Sequence, residues 1–282
     1  MCHYIFHQPQ HLSQSFNSKE KWKILNAKMT LAAVCLILLM HSNTANAQTL
    51  RFSGYTWQVR NGNGGPGPNN WSGKCVWVDK QGHLHLKIQK IDGVWSCAEI
   101  QTNRSLGFGT YTFKVNGPLD RLDKNIVLGL FNYPNPGQGV DGTNEIDIED
   151  AHWGVQKYPP MNLTVWPAVL GVKDGHTESS FKLPSDKADL SFNWTTSTVT
   201  YSCMAEPSGK PFASWTYSPS SPVKYVPQHP LPVHINLWLF HGYHPSNHKS
   251  VEIVIDSFTF TPAEGTSRIS TQSSSSNNSA HK

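Results

Sequence analysis

Charged side chains are scarce in this chain: 15% of its 282 residues are Asp, Glu, Lys or Arg, against about a quarter in an average domain. No stretch concentrates lysine and arginine into a basic face, which excludes a nucleic-acid binder of the usual electrostatic kind. The net charge of +4 is largely a property of residues 1–47, which hold four of the 23 basic and one of the 19 acidic residues. Long apolar runs are also missing. The longest, Leu31–Met40, has ten residues, half of the roughly 20 that a spanning helix needs. After residue 48 no segment shows a helical period, and no internal repeat is visible. Cysteine is sparse, and beyond residue 47 only Cys75, Cys97 and Cys203 remain.

The apolar run follows a basic region, Lys19–Lys28, and precedes Ala45-Asn46-Ala47, a small-x-small cleavage pattern. That order predicts a signal peptide within residues 1–47 and a mature start near Gln48, with translation beginning at Met1 or Met29. Cys35 lies inside the run, which argues against a lipoprotein site. The mature protein is therefore expected to be secreted or periplasmic, without a membrane anchor. Residues 48–263 are enough for one large β domain with a substantial core. Residues 264–282 are serine-rich and predict a disordered tail.

Inside the domain, short β runs alternate with Gly/Pro/Asn turns. His83–Gln89, Thr110–Val115 and Val251–Ile255 alternate polar and apolar residues, as half-buried strands do. Ile126–Phe131 is continuously apolar, as in a strand covered on both faces. Asn61–Pro68 reads as an irregular glycine/proline loop. Many short strands of this kind indicate a sandwich or jelly roll.

The sharpest chemical signal is Glu145-Ile146-Asp147-Ile148-Glu149. On a strand the three acids would share one face and the two isoleucines would point into a core. Like charges at that range raise one another's pKa. The two glutamate backbones would sit roughly 13–14 Å apart, and side chains leaning inward would bring the carboxyls to about 5–6 Å. That spacing suits a retaining glycosidase, in which one carboxylate attacks the anomeric carbon and the other protonates the leaving oxygen. Asp147 would sit between them and help keep the acid protonated. The plainer reading is a solvated strand face that happens to carry charge.

These residues resemble the active-site strand of glycoside hydrolase family 16, in the form found in licheninases (endo-β-1,3-1,4-glucanases) and xyloglucan-active members. Cys97-Ala98-Glu99, Gly107–Tyr111 and Gly73–Trp77 match licheninase segments in kind and spacing, and the likeness covers roughly residues 52–262. The resemblance implies an all-β, concanavalin-like β-sandwich (jelly roll) of two curved antiparallel sheets. It implies Glu145 as nucleophile, Glu149 as general acid/base and Asp147 as modulator. Substrate would be held by Asn69, Glu99, Tyr133, Asn162, Asn236 and Trp238. It also implies a Cys75–Cys97 disulfide, where the residues alone leave two buried thiols open; such a bridge would contribute roughly 3 kcal/mol. Cys203 would be a buried thiol. Asp256 falls where some members bind a structural calcium; no other cofactor is expected, since water is the second substrate.

The chain also departs from the pattern. Thr143 stands where licheninases usually carry tryptophan, Gln101 where arginine is expected, and Asp150 adds a fourth acid after Glu149. Asn162 also begins a glycosylation sequon, Asn162-Leu163-Thr164, although the cleft reading is preferred for it. Trp153 is a second candidate for the cleft because it follows the acidic strand closely. His241, His244 and His248 lie in a Gly/Pro/Asn loop and read as cleft rim rather than as a zinc site. The expectation is a monomeric secreted retaining endo-glycosidase whose partner is a β-linked polysaccharide, mixed-linkage β-glucan or a relative. A transglycosylase using the same residues and a non-catalytic lectin are the alternatives.

Overall fold

The computed structural model describes residues 48–172, 175–180, 183–184 and 186–264. The expected signal peptide lies outside the described residues, as does the tail beyond Glu264. Two antiparallel sheets of eight strands each form a jelly-roll sandwich. Across the first sheet the order is Thr49–Phe52, Tyr55–Val59, Ala98–Thr102, Val233–Leu239, Ile126–Asn132, Ile146–Ala151, Met161–Val165 and His176–Ser180. The second runs Lys210–Tyr217, Val199–Ala205, Lys187–Trp194, Gly109–Asn116, Val251–Pro262, Leu84–Ile91 and Val76–Val78, with Val94–Ser96 paired to Leu84–Ile91. Among the described residues, helix is confined to the single turn Pro222–Tyr225 and three 3-10 turns. None is long and apolar enough to cross a membrane.

The core follows from the period-two pattern. Ile146 and Ile148 from the acidic strand, with Leu128, Leu130, Ile235, Leu237 and Ile100 beside them, are buried between the sheets. They meet Leu84, Leu86, Ile88, Tyr111, Phe113, Leu190, Phe192, Ile253 and Ile255 from the other sheet. Each such side chain contributes about 1.5–3 kcal/mol on burial. The core strand Ile126–Asn132 is buried on nearly every residue, as its unbroken apolar run predicts. Tyr201, from the second sheet, donates its hydroxyl to Thr164 O at 2.6 Å and so ties the two layers.

Three local expectations need correction. The Asn61–Pro68 segment is not wholly irregular, because Gly62–Gly64 pairs with Asn69–Trp71 as a small hairpin. Val251–Ile255 is only the start of a strand reaching Pro262, which stays in register with Gly109–Asn116 through a bulge between Ile255 and Ser257. The expected Cys75–Cys97 disulfide is absent: both are free, buried thiols. Cys97 turns its thiol to Asn69 Oδ1 at 3.2 Å, while the Gln89 amide lies 4.0 Å from Cys75 Sγ. Burial pushes the Cys97 thiol up to about 12, so it stays protonated and inert. Cys203 is likewise a buried thiol, on strand Val199–Ala205.

Candidate active site

The turn before the acidic strand decides where Glu145 points. Thr143 closes that turn, donating its hydroxyl to Val140 O at 2.8 Å while its backbone N–H goes to the same carbonyl. Asn144 then takes a left-handed conformation (φ 56°), which asparagine tolerates better than most residues. Its side-chain amide donates to Ala168 O at 3.1 Å. Regular strand begins at Ile146, but Glu145 is already in the ladder because its carbonyl accepts from Trp166 N at 2.9 Å. From there the alternation sets Glu145, Asp147 and Glu149 on one face, where all three line a cleft of about 840 Å³.

The register builds a polar row across that face. Glu149 lies opposite Asn162 on one side and Gly129 on the other; Gly129 faces Asn236, and Asn236 faces Glu99. Gly129 makes room for this side chain, because a Cβ at that position would come within 2.5 Å of Asn236 Oδ1 and displace it. Asn236 Oδ1 is buried and has no donor among the described residues. An unpaired acceptor of this kind is costly unless a ligand supplies the hydrogen bond.

Burial and mutual charge act on all three acids. Burial and the Glu149 charge push Glu145 up to about 8, although a hydrogen bond from Asp147 works to lower it. Burial holds Asp147 well above the carboxylate range, and the Glu145 charge adds to this. Glu149 is likewise held far up, by burial and then by Asp147. All three acids are therefore held protonated to higher pH than an exposed carboxylate.

Two aromatic groups flank the row. On one side, Phe131 stacks on His234 at 5.0 Å, with Tyr133 edge-on to both. Tyr133 donates to Asp141 Oδ1 at 3.4 Å, and burial with the charges of Asp141 and Glu145 pushes its phenol up to about 12. On the other side, Trp153, Trp238 and Phe240 form a tilted cluster with centroids 5.6–6.5 Å apart. Glu99 lines the cleft but is fully engaged, bonded to Arg60 Nη1 at 2.7 Å and His234 Nδ1 at 3.1 Å. Burial works to raise its pKa, yet His234 and Arg60 hold it below the usual carboxylate range. Arg60 also lies over the Trp71 ring at 4.4 Å. The cation absent at Gln101 is thus supplied from a neighbouring strand end.

Of the expected substrate contacts, Glu99, Tyr133, Asn236 and Trp238 line the cleft, and Trp153 joins them. Asn69 and Asn162 do not. Asn69 spends its amide on Pro66 O and Leu239 O and its carbonyl on Leu239 N and the Cys97 thiol, stapling two rim loops. Asn162 donates to Ala151 O and Pro160 O and accepts from Ser179, so its polar atoms hold backbone. Sequence reasoning passed over Arg60, His234 and Phe131 as site residues and left Trp166 unplaced. His234 carried a signal, for it shares the parity of Asn236 and Trp238.

The remaining candidates lie elsewhere. Asp256 is beside the Lys187 ammonium at 3.7 Å, a cation where calcium would need further oxygen donors, so this side chain does not fit the expected calcium site. No group of three His, Cys, Asp or Glu among the described residues could hold a metal. That includes His241, His244 and His248; His244 and His248 pack ring on ring at 4.5 Å.

Asp150, the fourth acid, alternates to the inner face and is buried with neither oxygen meeting a donor among the described residues. Burial, and secondarily the Asp120 charge, hold it protonated well above the ordinary range. An unpaired buried polar group costs about 1–3 kcal/mol. Asp150→Leu is therefore expected to stabilise the domain by that order, raising the melting temperature by several degrees in a thermal scan at pH 7. A lower melting temperature would show that Asp150 has a partner it cannot lose.

No family model and no curated relative matches the chain, but solved structures do. A Bacillus licheniformis β-glucanase is 17% identical, with 77% of this chain and all of that one covered at a TM-score of 0.54. A laminarinase from Flavobacterium sp. UMI-01 is 15% identical over 72% of this chain and 92% of its own, at 0.56. An immunostimulatory antigen and pseudo β-1,3-glucanase of Mycobacterium tuberculosis is 16% identical over 73% and 91%, at 0.57. What these proteins share with the chain is the architecture: it has the licheninase-like jelly-roll fold that its resemblance to glycoside hydrolase family 16 implied.

Proposed function

We propose that the chain is a retaining endo-glycosidase that hydrolyses a β-linked glucan. The observation that carries this reading is the acidic row on the cleft floor, where Glu145, Asp147 and Glu149 share one face of the strand and all line the cleft. Glu145 attacks the anomeric carbon and forms a glycosyl-enzyme. Glu149 protonates the departing oxygen and then, as a base, activates the water that releases the sugar. Asp147 hands a hydrogen bond to Glu145 and keeps the row's charge low while Glu149 waits protonated. The aromatic groups on either side offer flat faces for the C–H surfaces of sugar rings, and Asn236 Oδ1 accepts from a sugar hydroxyl. The cleft crosses five strands, about 20 Å at the usual strand spacing, which is room for an internal stretch of polymer.

A lectin is disfavoured, because sugar binding alone gives no reason to keep three mutually repelling acids in a desolvated row. Transglycosylation would use the same covalent intermediate with a sugar hydroxyl in place of water. Export through the expected signal peptide, with a mature start near Gln48, belongs to the same proposal and would put the site where polysaccharide is found. Reducing-sugar release from mixed-linkage glucan, laminarin, xyloglucan and a galactan tests the reading. Release from one of the β-glucans is expected, and inactivity on all four, with acceptor oligosaccharides also left unextended, contradicts it.

A further inference from the structure

Trp166 is the residue whose surroundings are least explained by packing alone. It follows strand Met161–Val165 directly, in the ladder position opposite Glu145, and keeps the parity of the cleft face. Its ring is only partly buried and lines the cleft. Its indole Nε1 reaches one step along the acidic strand and donates to Asp147 Oδ2 at 2.9 Å. Diagonal contacts of this kind are within reach of a large aromatic side chain across an antiparallel pair. Gly175 makes the room, since a Cβ there would press on the indole at 3.0 Å. Trp166 is also the only N–H donor that the three acids of the row receive among the described side chains.

We propose that Trp166 is the positioning residue of the acidic row: its indole N–H fixes the Asp147 carboxyl through Oδ2 beside Glu145, and its ring walls the cleft beside the nucleophile. This rests on the reaction proposed above. Asp147 Oδ1 is buried and has no hydrogen-bond partner among the described residues, so the indole is the described side chain that orients this carboxyl, and an interaction with Asp147 favours the Glu145 anion. With its Oδ2 held by the indole, the Asp147 carboxyl keeps the orientation in which it favours the Glu145 anion. Without the indole, Asp147 is free to turn about its Cβ–Cγ bond and that support of Glu145 is lost. Thr143, tied into its own turn, contributes nothing to this; the indole comes from the neighbouring strand instead. The other titratable groups that face the pair are Glu149 on the same strand, Asp141 on the preceding loop, Tyr133 across the cleft and Tyr201 from the opposite sheet.

The test compares the unmutated protein with Trp166→Phe, which keeps the ring and removes the N–H. The acid limb of kcat/KM against pH should move upward by about one unit, with kcat reduced and KM little changed. Trp166→Leu should raise KM as well, because the wall is gone. In the unmutated protein, the indole ¹H–¹⁵N signal of Trp166 should shift with pH at the midpoint of that acid limb; this needs no variant to fold. An unshifted acid limb in Trp166→Phe, or an indole signal that ignores the titration of the row, overturns the inference while leaving the glycosidase reading intact. If the unmutated protein hydrolyses nothing, the reaction falls, and the indole titration alone still decides whether Trp166 governs the row.

Discussion

Glu145→Gln should lose activity by several orders of magnitude and at the same time make the domain more stable. Glutamine keeps the shape of the side chain but cannot attack the anomeric carbon, so no glycosyl-enzyme forms. The gain in stability has the opposite origin. Burial and Glu149 push the Glu145 carboxyl to about 8, against an ordinary value of 4.5. As pH rises past 4.5, the unfolded chain gives up this proton while the folded chain still holds it. Glu145 therefore costs the fold progressively more up to about pH 8, and above that the cost is constant. The melting temperature of Glu145→Gln should exceed that of the unmutated protein by a margin that widens over this window and then levels off. Scans at several pH values from 4 to 9 check it. A variant retaining more than a few per cent of activity would remove Glu145 from the nucleophile's role, and a margin independent of pH would remove the electrostatic account of the row.

Glu149→Ala should behave differently, because it removes the proton donor and spares the nucleophile. Polysaccharide, with its poor leaving group, should be hydrolysed only in traces. An aryl β-glycoside of an acidic phenol needs little protonation and should still form the glycosyl-enzyme. Azide, small enough for the vacated space, should then intercept it and give the β-glycosyl azide. Applied to Glu145→Ala, azide should yield the α-glycosyl azide instead, since it enters from the nucleophile's side. Proton NMR of the isolated azides reads both outcomes. Reversed stereochemistry would exchange the two glutamate roles.

How legible the site was depended on whether a residue obeys the strand period. Glu145, Asp147 and Glu149 share a face because strand geometry leaves no other arrangement, and Ile146 and Ile148 enter the core for the same reason. The parity that carries Asn236 and Trp238 to the cleft also carries His234, and the parity of Asn162 and Thr164 extends to Trp166. Parity names a face, however, and not what a side chain does there. Asn162 has the right face but spends its amide on the carbonyls of Ala151 and Pro160. Asn69 has the right neighbourhood but staples two loops. Arg60 reaches Glu99 across 39 positions of sequence, a pairing that only the order of the strands brings about. The two thiols show the same limit, for the resemblance implied a Cys75–Cys97 pair without deciding where each sulfur turns.

One measurement bears most directly on the covalent role of Glu145. An oligosaccharide of the hydrolysed glucan, carrying 2-deoxy-2-fluoro at the reacting sugar and a good leaving group, forms its glycosyl-enzyme faster than water can release it. After incubation, the intact mass of the protein should rise by one glycosyl unit, and peptide mapping should place the adduct on Glu145. An adduct on any other residue, or a protein that turns over the natural substrate yet never gains mass and releases product of inverted configuration, contradicts the account.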